Sequence, residues 1–365
     1  MDYREAILKV FERGNPGRII WQPRLELWYE YNKRRGTLPR ELKNVELIDV
    51  YDMLHASVRY FTTPLKVRYR KVKYDVKRLE NKTIETWDTP LGVLTRVHMY
   101  DEVGYSSAIK EFPIKAPEDF KILRYLLEDE EWYFDYETYE KDLEKVGNRG
   151  IAQFYFRRSP FQALMIDWMG VEKAILLMIS DPQTLDEYLE FSEKADDKIY
   201  EVILNSPVKI LNLGENIDVR FDSPSIFEKY LFPYYNKRIK QIHEAGKFVH
   251  IHVDGNFKQL LPYLKNMNVD GFEALTPAPQ GDVTIEEIKE NLCDFVLLDG
   301  IPAVYLLNHY SFDQLWNCTE KLVKLFHPRL ILGISDEVPP DTEFERLKFL
   351  SMKIEELNNS IINKD

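Results

Sequence analysis

Residues 248–256 read Phe248-Val249-His250-Ile251-His252-Val253-Asp254-Gly255-Asn256. Side chains alternate across an extended strand, so the pattern predicts His250, His252 and Asp254 on one face. Five other short apolar runs occur at 151–156, 208–213, 271–275, 295–298 and 330–333. Helical stretches fill the gaps, such as 182–203 after Ser180-Asp181-Pro182 and 225–245 after Ser223-Pro224. Strands that are apolar throughout and separated by helices argue for parallel β-structure with helical crossovers. With the run 19–22 the count is seven, close to the eight of a barrel. No Gly-x-Gly-x-x-Gly follows a strand and no P-loop sequence occurs, which leaves a nucleotide-binding doubly wound sheet without support. The expected fold is α/β, a (β/α)8 TIM barrel with an N-terminal helical segment, forming a single domain over 1–365.

Between residues 66 and 99 the pattern changes to alternation, with turn signals at Glu80-Asn81-Lys82 and Asp88-Thr89-Pro90-Leu91-Gly92. That predicts a small antiparallel hairpin insertion at about 66–99. Seven Lys or Arg fall between Lys66 and Arg78, either a solvated sheet face or an anion-binding lip. Residues 113–145 read as helical and acidic, with Glu128-Asp129-Glu130-Glu131 as solvated surface and Trp132-Tyr133-Phe134 as packing.

The chain has 365 residues and a net charge of −12. An acidic protein is a poor general binder of nucleic acid, whose affinity rests on neutralising phosphates. Two cysteines, Cys293 and Cys318, exclude a disulfide framework or a Cys-rich metal site. No apolar run reaches the ~18 residues a membrane span needs, and the charged start Met1-Asp2-Tyr3-Arg4-Glu5 lacks a signal-peptide core. A cytoplasmic location is expected.

In a barrel the reacting groups sit at strand C-terminal ends. Here those ends carry Glu215-Asn216, His252 with Asp254, Glu273, and Asp336. One imidazole with carboxylates from neighbouring strand ends is what a divalent cation requires. A His-x-His alone also fits core histidines bonded to the backbone. Glu215-Asn216 equally fits a self-bonded loop, and Asp282 fits a cap on the helix beginning near Thr284.

The sequence resembles the uroporphyrinogen decarboxylase superfamily, which includes corrinoid-linked methyltransferases. The resemblance rests on Ser223-Pro224, Leu231-Phe232-Pro233, His243-Glu244-Ala245-Gly246-Lys247, His252-Val253-Asp254-Gly255-Asn256, Glu273 with Thr276-Pro277-Ala278-Pro279-Gln280-Gly281-Asp282, and Leu332-Gly333 to Pro340-Asp341-Thr342. It implies a (β/α)8 barrel. The decarboxylases carry two arginines near the start; here Arg24 matches the first and Trp28 replaces the second, and Asp336 stands where they have a late histidine. The methyltransferases bind zinc through a His-x-Cys-Gly motif, a late Cys and often a Glu. By position this implies a metal set of His252, Asp254, Glu273 and Asp336, with both cysteine positions now aspartate.

Such a set suits zinc or a harder divalent ion. The resemblance further implies Glu215 and His250 as catalytic or supporting groups, and Gln22, Arg24, Tyr155, Arg157 and Asn216 as substrate-binding. The activity implied is metal-assisted transfer of a methyl group between a small-molecule donor or acceptor and a corrinoid supplied by a partner protein. The alternatives are a metal-free decarboxylase of a porphyrinogen or smaller carboxylated substrate, and a non-catalytic ligand-binding barrel.

Overall fold

A computed structural model describes residues 1–292 and 294–362. Cys293 therefore lies outside the described residues, while Cys318 is a buried free thiol. In chain order the strands are β1 (Ile20–Trp21), β2 (Val58–Tyr60), β3 (Leu65–Tyr69), β4 (Lys73–Arg78), β5 (Lys82–Thr89), β6 (Gly92–Tyr100), β7 (Ser107–Glu111) and β8 (Glu130–Phe134). There follow β9 (Gly150–Gln153), β10 (Tyr155–Phe156), β11 (Ile210–Ile217), β12 (Phe248–Val253), β13 (Gly271–Glu273), β14 (Val296–Pro302) and β15 (Leu330–Ser335). The chain divides into two compact units: residues 1–62, 137–156 and 209–365, and residues 63–136 with 157–208.

The first unit holds the barrel. A parallel sheet runs in the order β1-β15-β14-β13-β12-β11-β10. β2 pairs in parallel with β9, and the Ser57 amide donates to the Trp21 carbonyl at 2.7 Å, joining β2 to β1. Since β9 and β10 are halves of one interrupted strand, eight parallel strands close on themselves. The seven strands expected from sequence are all present. The eighth, Val58–Tyr60, is only three residues long and has a charged centre, so no apolar run announced it.

Helix Tyr3–Phe11 plugs the N-terminal end. Its Ala6, Ile7, Val10 and Phe11 pack against Ile20, Ile151, Ile210, Val296, Leu298 and Ile331, each large side chain gaining about 1.5–3 kcal/mol from burial. Asp2 caps this helix by accepting from the Glu5 amide. Asp282 does not cap the helix after it. Its carboxylate accepts from the amides of Phe257 and Lys258 at 2.7 and 3.1 Å. The Ile285–Leu292 helix is instead started by Thr284, whose hydroxyl accepts from the Glu287 amide while Glu287 accepts from the Thr284 amide.

The second unit carries a four-stranded antiparallel sheet, β4-β5-β6-β7, and a separate antiparallel pair, β3 with β8. The expected insertion is therefore longer than 66–99 and its first run is two strands. All six residues of the sheet-edge strand β4 are exposed. The acidic stretch is not one solvated helix. Asp129 is buried and accepts from the amides of Arg70, Lys71 and Val72 at 2.8–2.9 Å. Glu130 is buried too and opens β8, whose Trp132-Tyr133-Phe134 favours extended structure. Among the described residues no helix is long and apolar enough to cross a membrane.

Candidate functional site

The two imidazoles of β12 occupy successive levels of the barrel interior. His250 lies lower, fully buried, its ring 6.2 Å from that of Phe11. Its Nε2 is 2.9 Å from Gln153 Oε1 on β9. A nitrogen facing an amide oxygen carries the proton, so Nδ1 keeps its lone pair, and it has no hydrogen-bond partner. Burial, helped by the Arg59 charge, pushes this imidazole down to about 3 despite Glu273 nearby.

His252 sits one level higher, 4% exposed. Its Nδ1 is 3.4 Å from Glu273 Oε2 and makes no hydrogen bond. Burial alone would lower this ring, but Glu273 and then Asp336 outweigh it and raise it above the usual histidine value.

Glu273, at the end of β13, is completely buried. Arg59 Nη1 donates to Oε1 at 2.6 Å, the Tyr60 hydroxyl lies 2.8 and 2.7 Å from the two oxygens, and Asn212 Nδ2 donates to Oε2 at 2.7 Å. Burial works to raise its carboxyl, but the Arg59 guanidinium and His252 hold it well below the carboxylate range. Arg59 also donates to Asp299 on β14, Nη2 to Oδ1 at 2.8 Å and Nη1 to Oδ2 at 3.3 Å, and through Nε to Gln22 Oε1 at 2.7 Å. Burial raises the Asp299 carboxyl to about 7 against the pull of that shared guanidinium.

Asp299 fits because residue 333 on β15 is glycine. A Cβ there would stand 2.4 Å from Asp299 Oδ1 and 2.6 Å from the Gln22 carbonyl oxygen.

Toward the open end, Arg24 pairs with Asp336 and donates to Glu337 Oε1 at 2.8 Å. Its guanidinium carbon lies 5.0 Å from the ring centre of Tyr60 and 5.3 Å from that of Tyr155. Those two rings stack at 4.4 Å, and Tyr155 meets His252 edge-on at 5.9 Å. Tyr155 is 42% exposed, as a residue at a mouth would be.

His252, Glu273 and Asp336 each offer one donor atom, all within 4.8 Å of one another. One nitrogen and two carboxylate oxygens make a donor set that fits a divalent cation once the imidazole gives up its proton. Asp254 is not part of it. β12 ends at Val253, alternation stops with the strand, and the exposed Asp254 carboxylate accepts from Asn216 Nδ2 at 3.3 Å.

Gln22 is 1% exposed and spends its amide on Ser57 and Arg59, so it sits inside the barrel and not at a mouth. Arg157 belongs to the second unit, where Glu130 and Asp196 neutralise it at 3.2 and 3.1 Å. Glu215 is buried on β11. Arg59, Tyr60, Asn212 and Asp299 escaped the sequence reading. Asp299 had a usable signal, an acid directly ending the apolar run 295–298.

The model of the family described as Uroporphyrinogen decarboxylase (URO-D) matches residues 95–357. The chain belongs to the uroporphyrinogen decarboxylase family. That match spans β6 to β15 and so includes His252, Glu273, Asp299 and Asp336. Among solved structures, this family member is similar to a methyltransferase from Methanosarcina mazei, with a TM-score of 0.63, 12% identity and coverage of 98% of this chain and 99% of that one. A B12-independent methionine synthase from Shewanella sp. W3-18-1, in complex with selenomethionine, gives a TM-score of 0.47 at 10% identity, covering 94% and 97%. At such identities the first likeness shows the shared barrel fold. Among curated proteins no sequence matches this chain.

Proposed function

We propose that this chain is a methyltransferase that holds a divalent cation with His252, Glu273 and Asp336 and exchanges a methyl group with a corrinoid carried by a partner protein. The observation that carries the reading is the convergence of three donors around a buried imidazole nitrogen with no partner of its own. A divalent cation there would supply a Lewis acid that polarises the atom from which the methyl group leaves or to which it is delivered.

The remaining roles belong to the chain's own side chains. Arg59, Tyr60 and Asn212 fix Glu273, while His250 underlies His252 as a neutral ring. Tyr155 and Arg24 line the entrance.

The decarboxylase alternative needs cations free to hold substrate carboxylates. Arg24 is already shared by Asp336 and Glu337, and Arg59 by Glu273 and Asp299. That commitment favours methyl transfer. In support of decarboxylation stands Asp299, a carboxyl raised to about 7 that could hold a proton.

Two measurements test the proposal. Metal content of protein purified without chelator should be about one divalent ion per chain and fall away in His252→Ala/Asp336→Ala. Under anaerobic conditions, cob(I)alamin mixed with the wild type and small methyl ethers or thioethers should turn into methylcob(III)alamin. A protein that binds no metal but releases carbon dioxide from carboxylated substrates would replace this reading with the decarboxylase.

A further inference from the structure

We infer that Arg59 and Asp299 are positioning residues that aim one oxygen of Glu273 at His252, so that a cation bound there would meet a single glutamate oxygen. The inference rests on the cation site proposed above.

Arg59 is 1% exposed and its donors are spent on three groups: Glu273 Oε1, both oxygens of Asp299, and Gln22 Oε1. A guanidinium held flat by a two-point contact with one carboxylate has a fixed direction for its remaining donors. Here that direction ends on Glu273 Oε1. The oxygen turned toward His252 is Oε2, 3.4 Å from Nδ1, and Asn212 and Tyr60 steady it from the side at 2.7 Å each. Two ligands on one ion at the usual ~2.0–2.2 Å would stand about this far apart.

Asp299 is itself over-determined. It takes a backbone φ of 74°, which non-glycine residues rarely adopt, and occupies space that a side chain at 333 would fill. An acid placed at such cost, touching neither His252 nor Asp336, is accounted for by what it does to Arg59. The chain Gln22–Arg59–Asp299 thus reaches from β1 through β2 to β14 and acts on the metal ligand of β13. Groups that orient ligating carboxylates in this way carry a large share of a site's affinity.

Cobalt(II) alone is the probe, because its visible absorption reports the number and geometry of its ligands. Wild type, Asp299→Asn, Arg59→Lys and His252→Ala are each titrated with Co2+, and each is checked for a cooperative thermal transition. The expected result is a folded Asp299→Asn protein whose Co2+ affinity falls by about 10–100-fold and whose absorption band changes shape, with Arg59→Lys behaving alike and His252→Ala losing the band. A merely structural pair would lower the melting temperature and leave the spectrum of the folded protein unchanged, which overturns the inference.

Should Asp299→Asn not fold, Gln22→Met removes a lateral tether of Arg59 without altering charge. It should give a smaller change of the same kind, and an unchanged spectrum there also overturns the assignment. A folded wild type that takes up no Co2+ overturns the metal site itself. A wild type that binds normally beside an indifferent Asp299→Asn overturns only the positioning pair.

Discussion

His252 Nδ1 lies 3.4 Å from Glu273 Oε2 and has no hydrogen-bond partner. A buried polar atom without a partner costs about 1–3 kcal/mol, so this arrangement gains stability from anything that bridges the pair. Binding only the folded state stabilises by RT ln(1 + [L]/Kd), or about 2.7 kcal/mol at a hundredfold excess over Kd. Zn2+ or Co2+ should therefore raise the melting temperature of the wild type and leave His252→Ala unmoved. Equal shifts in both proteins would place the ion elsewhere.

Replacing Arg59 by methionine leaves Glu273 and Asp299 buried without their shared cation. Removing one partner of a buried ion pair typically costs about 3–5 kcal/mol, and denaturant melts at neutral pH should show a loss of that size. The loss should shrink as pH falls, because Glu273, which Arg59 holds well below the carboxylate range in the wild type, then takes up a proton in the folded variant. A variant whose deficit is the same at about pH 5 and pH 8 would show that the acids do not depend on Arg59.

The low His250 value has its own signature. An unfolded histidine protonates near 6.5, whereas this one stays neutral in the folded protein down to about 3. Between those limits the unfolded chain binds more protons, so stability rises with pH through that window and levels off above it. The slope from one such group cannot exceed about 1.4 kcal/mol per pH unit. Urea melts in chelator from about pH 4 to 7 should show a shallower slope for His250→Gln than for wild type. Identical slopes would mean that His250 charges without penalty.

Gly333→Ala adds one methyl group within 2.4 Å of Asp299 Oδ1 and 2.6 Å of a backbone oxygen. Overpacking of this kind costs about 1–3 kcal/mol, and the shift must pass through Asp299 or through β1. We expect a lower melting temperature together with weaker Co2+ binding, although residue 333 bears no ligand. Wild-type values for both would show that the interior yields more easily than its contacts suggest.

The barrel was legible because seven of its strands are apolar runs, and a buried parallel strand must be one. Val58–Tyr60 breaks that rule by spending its centre on Arg59, a charge neutralised entirely by residues distant in sequence. His252, Glu273 and Asp336 could be found by asking what ends each strand. Asp254 enters that set through the position of the family's cysteine, but its strand ends at Val253 and its carboxylate meets Asn216. Arg59, Tyr60 and Asn212 carried no local sign, since the carboxylates they hold lie on β13 and β14, more than sixty residues away for each. Asp282 and Asp129 show the same limit on a smaller scale, because both cap backbone amides of other segments.

β4 has consequences for how copies of the chain meet. It is an outer strand of its sheet with every residue exposed, the kind of border onto which a second chain can add. Laid antiparallel on itself about its midpoint, Lys73-Tyr74-Asp75-Val76-Lys77-Arg78 would set Lys73 against Arg78 at both ends, and directly opposed like charges repel. The basic stretch thus makes the border a poor match for its own image. Crowded molecules are kept from growing into ribbons along it, while a strand of opposite charge would meet no such objection.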